Sequence, residues 1–153
     1  MYSNQNRDVF TSIALGFHVA RSTAALPQST TGNLFTVSGG RVLVTMLFGQ
    51  VTTAIQATDP VAKITSTPTT GSAVDIASTV DLSSLEIGGL IIAEGDTTAL
   101  IKVNGGGGGP ANFMPWICPA GTIDLITSAS KTGNVKWDLW YLPLDEGAAV
   151  AAA

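Results

Sequence analysis

The sequence predicts an all-β fold, an antiparallel β-sandwich or barrel of the jelly-roll or tulip kind, carrying an extended N-terminal arm. Three observations lead there. Short runs rich in Val, Ile, Thr and aromatic residues recur at about 8–12 residue spacing, with Gly and Pro turns between them. The last long run, Gly133–Leu142, alternates apolar and polar residues with the period of a strand. The first 33 residues differ from the rest and end in a breaker-rich link, Pro27–Asn33 (PQSTTGN). At 153 residues the chain suits one domain with a real core. The expected division is an arm and link over 1–33, a β-domain over 34–146 and a flexible Ala-rich tail over 147–153.

Within the arm, Met1–Arg7 is polar and Val9–Ala25 is mildly apolar. Ile13, Leu15, Phe17 and Val19 alternate, which favours an extended piece over a helix, an arm that lies along either its own domain or a neighbour. Leu34–Val37 and Arg41–Phe48 flank Ser38-Gly39-Gly40, a tight-turn signature because glycine accepts positive φ. The second of these runs is apolar at both parities, the mark of a central strand covered on both faces. Gly49 after it predicts a bulge or bend, with Val51–Ile55 continuing beyond.

Turns at Ala57–Pro60 and Thr67–Gly71 bracket a short strand at Lys63–Thr67, and β-branched residues put further strand through Ala73–Ile87. Leu90–Ala93 and Thr98–Val103 form a second hairpin around Glu94–Thr97. Five glycines, Gly105–Gly109, then make a flexible loop. Phe113–Cys118 reads as an apolar strand interrupted by Pro115. Gly121–Ala129 and Gly133–Leu142 are two long strands around Ser130–Thr132. On the last, Val135, Trp137, Leu139 and Tyr141 share the core face. Lys136, Asp138, Trp140 and Leu142 share the other, which begins charged and ends apolar, as a surface that meets a partner would.

Composition narrows the function. Only 12% of residues are charged while 45% are hydrophobic, against about 25% charged in a typical soluble domain. Surfaces so poor in charge stay in solution when other protein covers them. The net charge is −4, and the seven Lys and Arg residues are scattered singly, so no basic stripe for nucleic acid appears. No apolar run reaches the ~18 residues of a membrane helix. Residues 1–8 lack an apolar signal core, so the expectation is a soluble protein made in the cytoplasm.

Chemistry finds little to work with. His18 is the single histidine and Cys118 the single cysteine, so neither zinc spacing nor a disulfide is available. Cys118 reads as a buried small hydrophobe, and His18 as a satisfied or solvent-facing side chain. The carboxylates fall at turns and on outward parities of strands. Gly105–Gly109 continues into Pro-Ala-Asn-Phe, where a phosphate loop would continue into Lys-Ser/Thr and a helix. The expectation is no enzyme, no cofactor and no metal.

The segments LPQSTTGNLFTVSGGRVLVTMLFGQVTTAIQ (26–56) and PAGTIDLITSASKTGNVKWDLWYLPLDEGAAV (119–150) resemble structural proteins of tailed bacteriophages, the small capsid decoration or cement proteins above all. The likeness is one of pattern across about two-thirds of the chain. It implies a β-rich homotrimer that binds the major capsid protein over subunit junctions on the outer surface of the virion, with terminal arms reaching onto neighbours. It brings no catalytic residues with it. Phe10, Ile13, Leu15 and Phe17 of the arm, with Trp140 and Leu142 of the last long strand, are the expected capsid or subunit contacts. The alternative is a receptor-binding or fibre-tip module, or a carbohydrate-binding sandwich, in which Trp116, the glycine loop and Tyr141 line a sugar site.

Overall fold

The structure, a computed structural model, describes residues 14–56, 60–95, 97–105, 107–109 and 114–153. Eleven strands lie among these residues: β1 Phe17–Ala25, β2 Thr31–Ser38, β3 Val42–Thr53, β4 Val61–Pro68, β5 Val74–Asp81 and β6 Leu90–Ala93. They continue with β7 Ile101–Val103, β8 Trp116–Cys118, β9 Gly121–Thr127, β10 Asn134–Pro143 and β11 Ala149–Ala152. Two antiparallel sheets pack face to face as a β-sandwich. Sheet A has the order β1-β10-β3-β6-β7, with β8 also paired to β3, and sheet B the order β11-β2-β9-β4-β5.

Alternation builds the core as expected. Val135, Trp137, Leu139 and Tyr141 of β10 are all buried and face Phe35, Ile123, Leu125 and Ile64 in the cluster between the sheets. β3 is indeed central, pairing with β10, β6 and β8. The expected bulge is not at Gly49, where the ladder with β10 keeps its register, but three residues on, at Thr52. The glycine is buried opposite Trp137, and a Cβ there would lie 2.7 Å from Val135 Cγ1 and 3.0 Å from the Trp137 ring. Its role is to leave room for the indole. Cys118 is fully buried, and desolvation raises its thiol pKa.

Three expectations need correction. Residues 17–33 are not separate from the β-domain: the extended piece lies along its own domain as β1, an edge strand of sheet A, and β2 is an inner strand of sheet B, while residues 1–13 lie outside the described residues. The tail is not loose either, since Ala149–Ala152 add to β2 in antiparallel register, Val150 on Val37. Alanine has weak strand preference, and the unpaired edge of β2 overrides it. Finally, Ser38-Gly39-Gly40 is not a hairpin. It carries the chain from sheet B to sheet A, with φ of 72° at Gly39 and 141° at Gly40.

A second crossing, Leu144–Ala148, packs on the first. Gly39 sits against the Gly147 carbonyl, and a Cβ on Gly40 would lie 2.6 Å from Asp145 Cβ. Arg41 then closes the corner: its backbone amide, Nε and Nη2 donate to the Asp145 carboxylate at 2.7, 2.9 and 2.7 Å. The bond from the Arg41 side chain, with that from its amide, holds the Asp145 carboxyl down at about 2. β5 ends where Asp81 turns its carboxylate onto the Ser83 amide at 2.7 Å, short of the strand expected to run to Ile87.

Gly49→Ala should destabilise the fold by about 1–3 kcal/mol in urea unfolding, because the new methyl must displace Trp137 or Val135; an unchanged midpoint would show the space is not used. The depressed Asp145 pKa makes its contribution complete above the ordinary value of 3.8 and lost as pH falls toward about 2. Unfolding midpoints measured across that window should therefore drop more steeply in the wild-type chain than in Asp145→Asn.

Candidate interaction face

The outer face of sheet A is built mostly by β3 and β10. Register places Trp140 beside Met46, Asp138 beside Phe48 and Leu142 beside Leu43. β1 adds His18 next to Trp140, β6 adds Ile92 next to Phe48, and β8 adds Ile117 next to Leu43. A bulge between Trp140 and Tyr141 gives β3 one extra residue, Thr45, whose hydroxyl donates to the Leu15 carbonyl. It keeps Leu142 and Leu43 on the outer side while Tyr141 and Val44 turn inward.

Trp140 is the centre of this face. Its indole stacks on the His18 ring at 4.4 Å and on Phe48 at 5.7 Å, both at 23°. His18 Nε2 in turn meets Asp138 Oδ1 at 2.7 Å, so the histidine is held by a carboxylate and an indole. Trp140 Nε1 is buried and has no hydrogen-bond partner among the described residues. Beside it, Met46, Phe48, Leu90 and Ile92 line an apolar hollow of about 160 Å³ whose remaining wall is Gly108 and Gly109. The glycine loop thus lies against the face. At the end nearest the Arg41 corner, Ile117 is 59% exposed and Leu142 36%.

Sheet B presents the opposite chemistry. Its outer face carries the Lys63–Asp75 ion pair at 2.9 Å, with Thr65 Oγ1 also donating to Asp75 at 2.9 Å. Thr67 and Thr122 donate to Asp124 Oδ2 at 2.6 and 3.0 Å. Sheet B thus shows mainly threonines and charged side chains, with Ile126 beside Lys63, whereas sheet A gathers Trp, Phe, Met, Leu and Ile around Trp140, next to Lys136 and Asp138.

Of the six residues expected at a contact, Trp140 and Leu142 share this face. Phe10 and Ile13 lie outside the described residues. Leu15 is half-buried. Phe17 is 56% exposed but has the parity of Tyr141, 5.8 Å from its ring, so it rims the core side of β1. Met46, Phe48, Leu43, Ile92 and Ile117 share the face as well and were not singled out from the sequence. For Leu43, Met46 and Phe48 the signal was the double-parity apolar pattern of β3, which reads equally well as burial within the fold; Ile92 and Ile117 sit in the short strands β6 and β8, too brief to show a face.

Other candidates for chemistry lose ground. Trp116 and Tyr141, the rings expected at a sugar site, are each only 8% exposed and belong to the core cluster. Among the described residues no group of three His, Cys, Asp or Glu side chains is placed to hold a metal. No protein family, curated protein or solved structure matches this chain.

Trp140→Ala should cost about 1–2 kcal/mol in chemical unfolding, against about 3–5 kcal/mol for Trp137→Ala, since only the second empties the core. Equal losses would make Trp140 a core residue.

Proposed function

We propose that this chain is a non-enzymatic structural protein, a decoration protein of a tailed-phage head, which binds the major capsid protein on the outer surface of the virion through the outer face of sheet A. The observation that carries the reading is the asymmetry of the two outer faces. A sandwich that worked alone in water would have no use for Trp140, Phe48, Met46, Leu142 and Ile117 on one side. The resemblance of residues 26–56 and 119–150 to phage decoration proteins supplies the identity of the partner.

The mechanism is physical. Covering about 400 Å² of apolar surface gains on the order of 10 kcal/mol gross at ~25 cal/mol per Å², most of it offset by the cost of association. A single contact of this size is weak. Several copies joined together bind far more tightly, because each further attachment is intramolecular. Shells under internal pressure gain from clips that span more than one subunit, and no reacting group is needed.

The test is cosedimentation and electron microscopy of the purified chain with empty, expanded heads of the phage that encodes it. Saturable binding is expected, weakened at least about tenfold by Trp140→Lys/Leu142→Lys with the melting curve little changed. Absence of binding, or undiminished binding by the double variant, contradicts the proposal.

A further inference from the structure

β1 and β2 belong to different sheets, so the connection between them, residues 26–30, crosses one side of the sandwich. A hollow of about 140 Å³ lies against it, lined by Arg21, Ala24 and Gly32 and reaching the core at Leu34, Val135 and Trp137. Those three core side chains are at most 2% exposed. Protein interiors hold few voids larger than a water molecule, so space of this size beside a core calls for a cause.

The local sequence makes the space. The ladder of β1 with β10 shifts register between Arg21 and Ala24, and Ala24 then meets Val135 with only a methyl group. Gly32 offers no side chain, and a Cβ there would lie 2.6 Å from Pro27 Cγ. Neither position fills the hollow.

Charge is the second observation. Arg21 stands opposite Trp137 in the ladder. Directly opposed residues share a face of a sheet, and Trp137 is core, so Arg21 leaves its strand on the inner side. Its Nε donates to the Ala153 carbonyl at 3.2 Å, which tethers the guanidinium without neutralising it. Among the described residues the ion pairs are His18–Asp138, Arg41–Asp145 and Lys63–Asp75. Arg21 belongs to none of them, and no Asp or Glu lines the hollow. A half-buried cation beside apolar side chains gives up hydration with no counter-ion in return. An inward charge on an edge strand also guards against stray pairing, but that role needs no hollow behind it.

We infer that this hollow binds a small carboxylate with an apolar body, an aryl or short alkyl acid. The terminal N–H groups of Arg21 form a fork that matches a carboxylate, and the body enters toward Val135 and Trp137. Size sets the limit. An apolar void of about 150 Å³ takes a benzene ring, so a single ring fits here and a long fatty chain does not. The site lies on the inner side of β10, apart from the outer face that carries Trp140. It does not depend on the capsid reading: loss of head binding leaves it standing.

The experiment is calorimetric titration of the full chain with benzoate, and with benzyl alcohol as an uncharged body of similar size. Benzoate should bind with a Kd of about 1 mM or tighter, as expected for about nine non-hydrogen atoms, and benzyl alcohol at least about tenfold more weakly. Arg21→Gln should weaken benzoate at least about tenfold and leave benzyl alcohol unchanged. Ala24→Leu, which fills the hollow, should abolish uptake of both. Lys136→Gln, which removes an exposed cation from the outer face of β10, should alter neither. Nuclear magnetic resonance of the wild-type chain locates the ring without any variant: benzoate should move the indole signal of Trp137 and leave that of Trp140 in place. No benzoate binding up to about 20 mM overturns the inference. So does equal affinity for acid and alcohol, benzoate binding that survives Arg21→Gln, or a shift at Trp140 in place of Trp137. A hollow filled by a second copy, seen as association that Ala24→Leu abolishes with no benzoate uptake, overturns it as well.

Discussion

Two packed sheets bury one face of each other, and β3 and β10 carry apolar side chains on both faces. That mismatch governs the rest of the molecule. The inner set, with Leu47, Val51, Trp137 and Leu139 essentially without exposure, supplies the core, and Gly49 shows how tightly it is fitted. The outer set has no sheet to face. Within the described fold it is tended by stacking among Trp140, His18 and Phe48 and by the flank of the glycine loop. Side chains of this kind on an outer face are unfavourable in water unless something covers them. The scarcity of charge in the whole chain is the compositional side of the same fact.

The sandwich is held in register by connections that change sheets. Ser38–Arg41 and Leu144–Ala148 cross at one end and lock through Arg41 and Asp145, which stand 104 positions apart. Glycines at 39, 40 and 147 let the two corners touch. Because the strands on either side of each corner belong to different sheets, the corner sets how the sheets sit on one another. That in turn sets which residues of β10 face out.

Legibility in the sequence followed this physics. A period of two has one reading on a half-buried strand, so the faces of β10, including Trp140 and Leu142, could be assigned from residues alone. β3 was legible as central, but a doubly apolar strand is silent on whether its second cover comes from the same chain. Ser38-Gly39-Gly40 was legible as a turn and not as a crossing, because positive φ serves both and the deciding partner, Asp145, is remote in sequence. β11 was illegible for a simpler reason: alanines carry almost no pattern, and the strand exists because β2 had an edge to offer. The alternation of β1 was visible, yet nothing in it named β10 as its neighbour.

Oxidative footprinting of the chain, free and bound to phage heads, tests the central claim most directly. Protection confined to Met46, Phe48, Trp140 and Leu142, with the side chains around Lys63 and Asp75 as reactive as before, is the result expected if the greasy side of sheet A is the one that other protein covers. Protection over sheet B instead, or none on either face, would contradict it.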